Sequence, residues 1–496
     1  MALVELGLAR LAGLAAALTV LWVGSYVIYN LFFHPLRQYP GPLILRATRL
    51  GFYSKLMNGT LPFEMLDLHK KYGEVVRIAP NELAFSNATA WKDIMGHKPQ
   101  GSAEFEKWDG FYRTVEDMPT DIANAGREEH GALRRILAHG FSDRSMREQQ
   151  PIIKKYIDLL IQRLHENCQG GPKALNMAAW YNYTTFDVIG DLTFGESFGC
   201  LDNSDYHVWV KAIFQMVRAA TLLQVASNFP ALKNMLLKMV PKSFMEEHEN
   251  HMAFTRAKLS ARMEAGKERP DLVEGLLRRR DEWGLTMEKL QANSSILIIA
   301  GSETTATLLS GVTYFLLTNP DAMEKLKTEI RAAFGSEDDI DFVSVSKLPY
   351  LLACLDEALR MYPPVPIGLP RVVPKGGASI GGRFVPEDTI VAVHQWAMYH
   401  NDKHFAEPFA YRPERWLGDP RFAGDNRDAF QPFHLGARDC LGRNLAYVEM
   451  RLILARVLWN FDMNISDDSR DWVSGQKVFN FWEKGALNVH LTPVAR

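Results

Sequence analysis

The segment from Phe433 to Gly442 constrains this chain more than any other, because it sets one cysteine, Cys440, inside a glycine-flanked loop. Glycine has no Cβ, so Gly436 and Gly442 allow the loop backbone to pack close to a flat ligand. Arg438 can pair with a carboxylate of that ligand, and the ring of Phe433 can shield the sulfur from water. These parts indicate a loop that ligates a haem iron through a thiolate, a ligand that favours cleavage of the O–O bond.

The spacing Phe-x-x-Gly-x-Arg-x-Cys-x-Gly resembles the haem-binding signature of the cytochrome P-450 family, and every fixed position matches. For an isolated cysteine, the alternative is a buried free thiol in a turn before a helix. The resemblance implies the cytochrome P-450 fold, mainly α with a minor β region, as a single catalytic domain behind an N-terminal transmembrane helix. It also implies haem b (iron protoporphyrin IX) as the cofactor, with the Cys440 thiolate as the axial ligand of the iron.

A second motif, AGSETT at residues 300–305, lies in a run of residues 291–317 that is apolar on nearly all sides and therefore predicts a buried helix. In such a helix Gly301 costs about 1 kcal/mol relative to alanine. The resemblance implies that this helix covers the distal face of the haem, that Gly301 leaves room for oxygen, and that Glu303 and Thr304 relay protons. The alternative is structural: the threonines bond back to carbonyls four residues earlier, and Glu303 meets a basic neighbour.

Glu357 and Arg360 are three residues apart and therefore share one face of a predicted helix. That helix has Pro349 in its first turn and is stopped by Pro363. An exposed pair of this kind would contribute only about 0.2–0.5 kcal/mol. The resemblance implies instead a buried triad with Arg415, and burial is tolerable only if all these charges are paired. We expect the triad to hold the cysteine loop in shape and to take no part in catalysis.

Three further residues resemble the family's contacts to the haem propionates. His130 and Arg134 are four residues apart and lie on the same face of a predicted helix. Many relatives have tryptophan at the first of these positions and arginine at the second, and both contact a propionate. Arg371 resembles another such contact. The alternative for His130 is a surface histidine beside basic residues.

The rest of the pattern predicts many helices and a few short strands. Residues 74–78 and 82–85 alternate around a Pro-Asn turn and predict a β-hairpin. Residues from about 128 to 333 are mostly helical in pattern, with turns at Gly170-Gly171, Gly195 and Pro230, and strands are expected within 372–393 and 485–491. Small sheets set beside many helices favour one mainly α-helical domain.

The segment from Leu11 to Phe33 has no charged side chain over 23 residues, which is enough at about 1.5 Å per residue to cross a bilayer core of about 30 Å. A cleaved signal peptide is the alternative, although its apolar region is usually only about 7–15 residues long and follows a basic start. Basic residues after the segment predict a cytosolic catalytic domain. We therefore expect a membrane anchor at 1–33, a stiff, non-helical proline-rich hinge at 34–45 and the haem-thiolate domain at 46–496.

The composition excludes other classes of protein. A formal net charge of −2 with 23% charged residues leaves no electrostatic footprint for nucleic acid. Four cysteines in 496 residues form neither a disulfide framework nor a paired zinc-ligand spacing, which suits a reducing compartment. The phrase Phe-His-Pro-Leu at 33–36 and the stretch 72–82 resemble the fungal branch of the family, which is anchored in the endoplasmic reticulum membrane and modifies secondary metabolites.

We therefore predict a single-pass endoplasmic reticulum enzyme with a cytosolic catalytic domain that hydroxylates or epoxidises a lipophilic small molecule. Electrons are expected from NADPH through a separate NADPH–cytochrome P-450 reductase, since the chain shows no flavin- or nicotinamide-binding fingerprint. Two alternatives stay open. One is a haem-thiolate enzyme of oxidative coupling, ring closure, desaturation or isomerisation. The other is a haem-binding carrier or sensor without turnover.

Two sets of residues complete the predicted surfaces. Residues expected to line the substrate pocket are Phe105, Trp108, Phe111, Tyr112, 365–369 and Phe481. Residues that could dock an acidic reductase surface are Arg134, Arg135, Lys154 and Lys155. For the first set the alternative is ordinary core packing, and for the second it is a solvated helix face.

Overall fold

Helices make up most of the computed structural model, which describes residues 2–99, 102–113, 118–229, 242–265 and 269–495. Within these residues the helices stand beside four small β-sheets, which confirms the predicted mainly α fold with a minor β region. The predicted turn at Pro230 lies outside the described residues.

The described helices follow one another along the chain with short connections. Those before residue 230 are α1 (Ala2–Ile28), α2 (Leu43–Ala47), α3 (Leu50–Met57), α4 (Leu61–Tyr72), α5 (Thr89–Met95), α6 (Asp109–Tyr112), α7 (Arg127–Leu137), α8 (Asp143–Asn167), α9 (Met177–Phe194), α10 (Cys200–Asn203) and α11 (Val208–Ser227). Those after residue 241 are α12 (Lys242–Glu264), α13 (Glu274–Arg278), α14 (Met287–Thr318), α15 (Pro320–Ala333), α16 (Phe342–Val345), α17 (Pro349–Met361), α18 (Gln395–Tyr399) and α19 (Arg443–Asn460).

The described strands are short. They are β1 (Val75–Ala79), β2 (Glu82–Phe85), β3 (Glu106–Lys107), β4 (Ala174–Asn176), β5 (Arg371–Val372), β6 (Ala378–Ile380), β7 (Arg383–Val385), β8 (Ile390–Val393), β9 (Phe461–Ile465), β10 (Lys477–Phe479), β11 (Phe481–Glu483) and β12 (Asn488–Pro493). The largest sheet has the order β1-β2-β8-β5-β3. The predicted hairpin is confirmed, because β1 and β2 pair antiparallel with Val76 opposite Ala84. Between β3 and β5 the register sets Lys107 opposite Arg371.

Helix α14 confirms the predicted buried helix and begins four residues earlier, at Met287. Thr286 caps its N-terminus by accepting a hydrogen bond from the Lys289 amide at 3.3 Å. The helix packs against α9, whose side chains are all buried. A Cβ on Gly301 would stand 2.7 Å from Cδ1 of Ile189, so this glycine allows the two helices to approach closely.

Helix α17 begins at Pro349 and ends at Met361, in agreement with the prolines that were expected to bound it. Helix α19 begins directly after the cysteine loop, with Gly442 at its N-cap. Because α14, α17 and α19 pack against one another, the buried core lies among these three helices. This core positions the cysteine loop at the start of α19.

The apolar N-terminal segment is helical and exposed. Helix α1 continues into one π-helical turn at Tyr29–Phe33, and residues 10–33 are long and apolar enough to cross a membrane, with none of them buried in the protein. The other described helix that is long and apolar enough is α14, and 72% of it is buried. The same composition therefore serves a core helix in one place and an exposed helix in the other.

The prediction of a non-helical hinge is wrong. A 3₁₀-helix spans Pro35–Gln38, and α2 follows Pro42 directly. Proline suits the start of a helix because its missing N–H would have no partner there. The buried Arg77 fixes this segment to the domain, since its guanidinium donates to the backbone oxygen of Asn30 at 2.8 Å and to that of Pro80 at 2.9 Å.

Candidate active site

The cysteine loop is closed by a backbone hydrogen bond in which the Cys440 N–H donates to the Phe433 carbonyl oxygen at 2.9 Å. Gly436 has a φ of +85°, and a Cβ there would stand 1.9 Å from the carbonyl oxygen of Met95 at the end of α5. This glycine is therefore required by the protein's own backbone. A Cβ on Gly442 would first meet Phe141, at 3.8 Å, so the protein leaves room for a ligand at this position.

Cys440 is exposed, whereas Cys168, Cys200 and Cys354 are buried, so a buried free thiol does not describe it. The sulfur is accessible, yet enough protein surrounds it that desolvation raises the pKa of the Cys440 thiol. The Gly442 amide opposes part of that rise. Because the thiolate is the form that binds metals, a cation at the sulfur would displace the proton. The position thus suits an iron ligand.

Five basic side chains converge beside the cysteine loop. We name them the basic cluster: Lys107 of β3, His130 and Arg134 of α7, Arg371 of β5, and Arg438 of the loop. Burial, followed by the charges of Arg438 and Lys107, lowers the pKa of His130 to about 3. Burial, followed by the charges of Arg371 and Arg438, lowers the pKa of Lys107 to about 7. The mutual repulsion of these groups favours an anionic ligand.

Acidic side chains neutralise only part of the basic cluster. Arg134 forms an ion pair with Asp439 and donates to its backbone oxygen at 2.7 Å, and Arg438 pairs with Glu104. Arg371 is buried, but its Nε and Nη1 have no hydrogen-bond partner among the described residues. Leaving a buried guanidinium unsatisfied is costly, which indicates that an anionic ligand completes this site.

A cavity of about 430 Å³ brings four of the predicted residues together. Its lining includes His130, Arg134, Arg371 and Arg438. Haem has two propionates, which match the incompletely neutralised cluster in sign, while the accessible Cys440 sulfur matches the iron. The residues present therefore fit haem. The location of His130 among buried basic groups also excludes the alternative of a surface histidine.

Sequence reasoning missed Lys107. It lies in a two-residue strand, β3, and no spacing along the chain links it to Arg371. Their proximity follows from the antiparallel register of β3 and β5, in which directly opposite side chains are close neighbours on one face.

In α14 the two predicted proton-relay residues have different partners. Thr304 donates its hydroxyl hydrogen to the Ala300 carbonyl at 2.7 Å, as the structural alternative predicted. Glu303 forms an ion pair with Lys484, and its Oε1 accepts from the Thr307 hydroxyl at 3.3 Å. Consecutive residues of a helix do not face each other, so proton transfer between Glu303 and Thr304 requires a side-chain rotation or a water molecule.

Glu449 of α19 is a buried acid that sequence reasoning also missed. It is 1% exposed, and neither carboxyl oxygen makes a well-formed hydrogen bond within the described chain. Burial raises the pKa of Glu449 to about 8, and the nearby hydroxyl of Thr305 opposes only part of that rise. The side chain is therefore a neutral carboxylic acid near pH 7, between the distal helix and the helix that follows the cysteine loop.

The structure brings Glu357, Arg360 and Arg415 together, each with a fully buried side chain. Glu357 lies 2.7 Å from Arg360 and 3.3 Å from Arg415. Two residues that the sequence did not reveal complete the network: Asp425 pairs with Arg415, and the Trp416 indole N–H donates to Glu357 at 3.0 Å. Two acids thus stand against two arginines, which is the full pairing that burial requires.

The predicted pocket residues do not share one cavity. Phe105 borders the cavity of the basic cluster, whereas Phe481 borders a second cavity beside Glu303. The Trp108 ring packs 4.6 Å from the guanidinium carbon of Arg49. Substrate contact by these aromatic residues stays a prediction.

Three of the four residues predicted for reductase docking already have acidic partners. Arg134 pairs with Asp439, as described above, while Lys154 lies 3.7 Å from Asp338 and Lys155 lies 3.9 Å from Asp191. Arg135 is exposed. These contacts favour the alternative of a charged helix face for most of the set.

Comparison with known proteins agrees with this geometry. The family model described as Cytochrome P450 matches residues 39–482. Cytochrome P450 monooxygenase tpeC of Talaromyces stipitatus is 48% identical over 99% of this chain and 96% of its own length. Cytochrome P450 monooxygenase prhB of Penicillium brasilianum is 44% identical over 97% of this chain and 98% of its own. Trichothecene C-15 hydroxylase of Fusarium sporotrichioides is 44% identical over 94% and 95%, respectively.

Proposed function

The chain belongs to the cytochrome P450 family and is a haem-dependent monooxygenase, and we propose that it hydroxylates a lipophilic small molecule in fungal secondary metabolism. The observation that supports haem chemistry most directly is the incompletely neutralised basic cluster beside an accessible Cys440. One relative is named a hydroxylase, which supports hydroxylation ahead of epoxidation.

The parts of the site divide the work between binding and proton transfer. When haem is bound through the Cys440 thiolate, it supplies dioxygen activation, since the thiolate favours O–O cleavage. The basic cluster holds the propionates and so fixes the plane of the cofactor. Glu303 and Thr304 carry protons, with Glu303 exchanging them with solvent and Thr304 presenting its hydroxyl once it leaves the Ala300 carbonyl. The Glu357 network supports the cysteine loop.

Electron supply and location complete the proposal. We place the protein in the endoplasmic reticulum membrane through residues 1–33, with residues 46–496 in the cytosol as the catalytic domain. The complete exposure of the apolar helix at 10–33 supports this placement. NADPH–cytochrome P-450 reductase would deliver the electrons.

Labelled dioxygen tests the reaction type. Membranes that carry the protein and a reductase would be incubated with NADPH, extracts of lipophilic metabolites and isotopically labelled dioxygen, and the products followed by accurate mass. We expect a product that carries one labelled oxygen atom. A product that has only lost hydrogen, or has dimerised, would favour oxidative coupling, ring closure or desaturation on the same scaffold.

Replacement of Cys440 tests the iron ligand. Cys440→Ala should abolish the red-shifted Soret band of the ferrous–CO complex, because thiolate ligation is lost. Cys354→Ala removes a buried cysteine elsewhere and should keep the band. An unchanged band in Cys440→Ala would remove Cys440 as the ligand.

Replacement of Thr304 tests the relay. Thr304→Ala should raise the hydrogen peroxide released per NADPH consumed, since a hydroxyl needed for proton delivery is missing. Thr318→Ala is a matched control in the same helix, because Thr318 likewise donates to the carbonyl four residues earlier, at 2.9 Å. Equal peroxide release in the two variants would count against Thr304 as a relay.

A further inference from the structure

The ion pair between Glu303 and Lys484 joins the middle of α14 to the residue that follows β11. Both side chains are nearly fully buried, at 7% and 5% exposure. The Lys484 ammonium also donates to the Thr307 hydroxyl oxygen at 2.7 Å. One carboxylate oxygen of Glu303 is therefore held by an ammonium and a hydroxyl together.

The second carboxylate oxygen of Glu303, Oε2, is buried and has no hydrogen-bond partner in the described part of the chain. A buried carboxylate oxygen without a donor is costly, and in native proteins such an atom is usually met by water or has a functional reason. Lys484 thus compensates the charge of Glu303 while leaving one oxygen open to another partner.

Glu303 and Lys484 border a cavity of about 340 Å³, the cavity beside Glu303 mentioned above. Its polar lining includes Asn176 and Asn182, which makes it suitable for ordered water. Arg218 and Glu483 border the same cavity and form an ion pair at 2.6 Å, with side chains 63% and 42% exposed. The cavity therefore extends from a surface ion pair to the buried pair at α14.

We propose that Lys484 is the positioning residue for proton delivery and that this polar cavity is the route by which solvent protons reach Glu303. The inference rests on the proposed function of Glu303 and Thr304 and extends it. Lys484 holds the carboxylate on the cavity side of α14 until it takes a proton from cavity water. Once neutral, the acid is bound less strongly by the ammonium, and it can rotate towards Thr304.

The proton balance closes over one cycle. Glu303 gains one proton from a water of the cavity, and bulk solvent returns a proton to that water. The acid then gives its proton to the Thr304 side of the helix, and the regenerated carboxylate pairs again with the Lys484 ammonium. Lys484 keeps its charge throughout, so it acts through Glu303 and is not itself a proton carrier.

The test uses the holoenzyme with reductase, NADPH and air, and no added substrate. Dioxygen consumed and hydrogen peroxide formed are measured together, because two-electron reduction gives peroxide and four-electron reduction, which needs two more protons, gives water. Lys484→Met should raise the ratio of peroxide to dioxygen several-fold, and Lys484→Arg should restore most of the wild-type ratio. Lys325→Met is the matched control, since Lys325 forms a surface ion pair with Glu414 at 2.6 Å. An unchanged ratio in Lys484→Met would overturn the proposal.

A double variant keeps the test decisive if Lys484→Met fails to fold. Glu303→Gln/Lys484→Met removes both charges of the buried pair, a change that proteins often tolerate. Because Lys484 acts through Glu303, the double variant should show the same peroxide ratio as Glu303→Gln. A further rise in the double variant would mean that Lys484 acts independently of the acid.

Infrared spectroscopy gives a readout that does not depend on turnover. Without the ammonium, burial favours the neutral form of a carboxyl group. Ferric Lys484→Met should therefore gain a protonated-carboxyl band that is absent from Glu303→Gln/Lys484→Met. If no such band appears, Lys484 does not control the charge of Glu303. The proposed oxygenation fails separately, through the absence of labelled oxygen in products.

Discussion

The Glu357 network and the basic cluster are both buried assemblies of charge, but only the first is complete within the chain. Arg360 donates to Glu357 and also to the carbonyl oxygens of Tyr399 at 3.0 Å and Pro408 at 2.7 Å. In the basic cluster, two nitrogens of Arg371 have no partner among the described residues. Full internal pairing marks charges that support the fold, whereas incomplete pairing marks a place for a ligand.

The strongest way to break this comparison is to unbalance the complete network. Glu357→Gln leaves Arg360 and Arg415 with less negative charge in a fully buried site, so we expect a loss of about 3–5 kcal/mol and little folded holoenzyme. The measurement is the yield of correctly ligated protein together with its thermal unfolding midpoint.

The matched control has the same spacing at the surface. Glu324 and Lys327 also form an i,i+3 pair, at 3.1 Å, with Glu324 72% exposed. Glu324→Gln should cost less than about 1 kcal/mol. If the two glutamine variants lost similar stability, burial would not be what makes the Glu357 network important.

Glu449 sharpens the comparison, because it is a buried acid without a basic partner in the described chain and is held in its neutral form. Its pKa is about 8 in the fold against 4.5 in the unfolded chain, so the folded state binds more protons between these values. The contribution of Glu449 is thus fully present below about pH 4.5 and is lost as the pH rises through about 8. We expect the stability of wild type relative to Glu449→Gln to fall by about 2–4 kcal/mol over this range.

Thermal unfolding midpoints of the two proteins, measured in parallel from mildly acidic to mildly alkaline pH, test this effect. The difference between the midpoints should shrink or change sign as the pH rises. A constant difference would show that Glu449 titrates alike in the folded and unfolded chains.

A smaller effect is expected in the incomplete cluster. Arg371→Met removes a guanidinium that a ligand would satisfy, so it should speed haem loss about tenfold, equivalent to about 1.4 kcal/mol. The apoprotein should lose no stability, because the removed charge has unpaired nitrogens there. Haem transfer to an acceptor globin and urea unfolding of the apoprotein measure the two effects.

Arg383→Met is the control for the incomplete cluster, since Arg383 is an exposed arginine of β7. It should leave the rate of haem transfer unchanged. Equal transfer rates for the two methionine variants would contradict the assignment of Arg371 to the propionates.

The smallest effect concerns Arg77, whose charge is met by backbone oxygens on both sides of the anchor junction. A variant that begins at Tyr29 keeps the Asn30 oxygen, and one that begins at His34 loses it. We expect both to bind haem and to dissociate more readily from membranes. The shorter one should be less stable by about 1 kcal/mol, measured by thermal unfolding in detergent. Equal stability would mean that Asn30 does not support Arg77.

The sequence by itself determined the features that depend on local spacing. The cysteine loop, the buried distal helix, the ends of α17 at its two prolines and the β1–β2 hairpin all follow from short patterns, because helix and strand periodicity and proline geometry act over a few residues. The hinge was misjudged because proline also starts helices, and α2 does begin directly after Pro42.

Only the tertiary structure decided which distant groups meet. Lys484 reaches Glu303 across 181 positions of the chain, and Gly436 is required by the carbonyl of Met95, which no pattern near Gly436 reveals. Lys107 joins Arg371 through strand register. The physical reason is that a charge accepts any suitably placed partner, so its partner is chosen by the packing of helices and strands and not by the residues beside it in sequence.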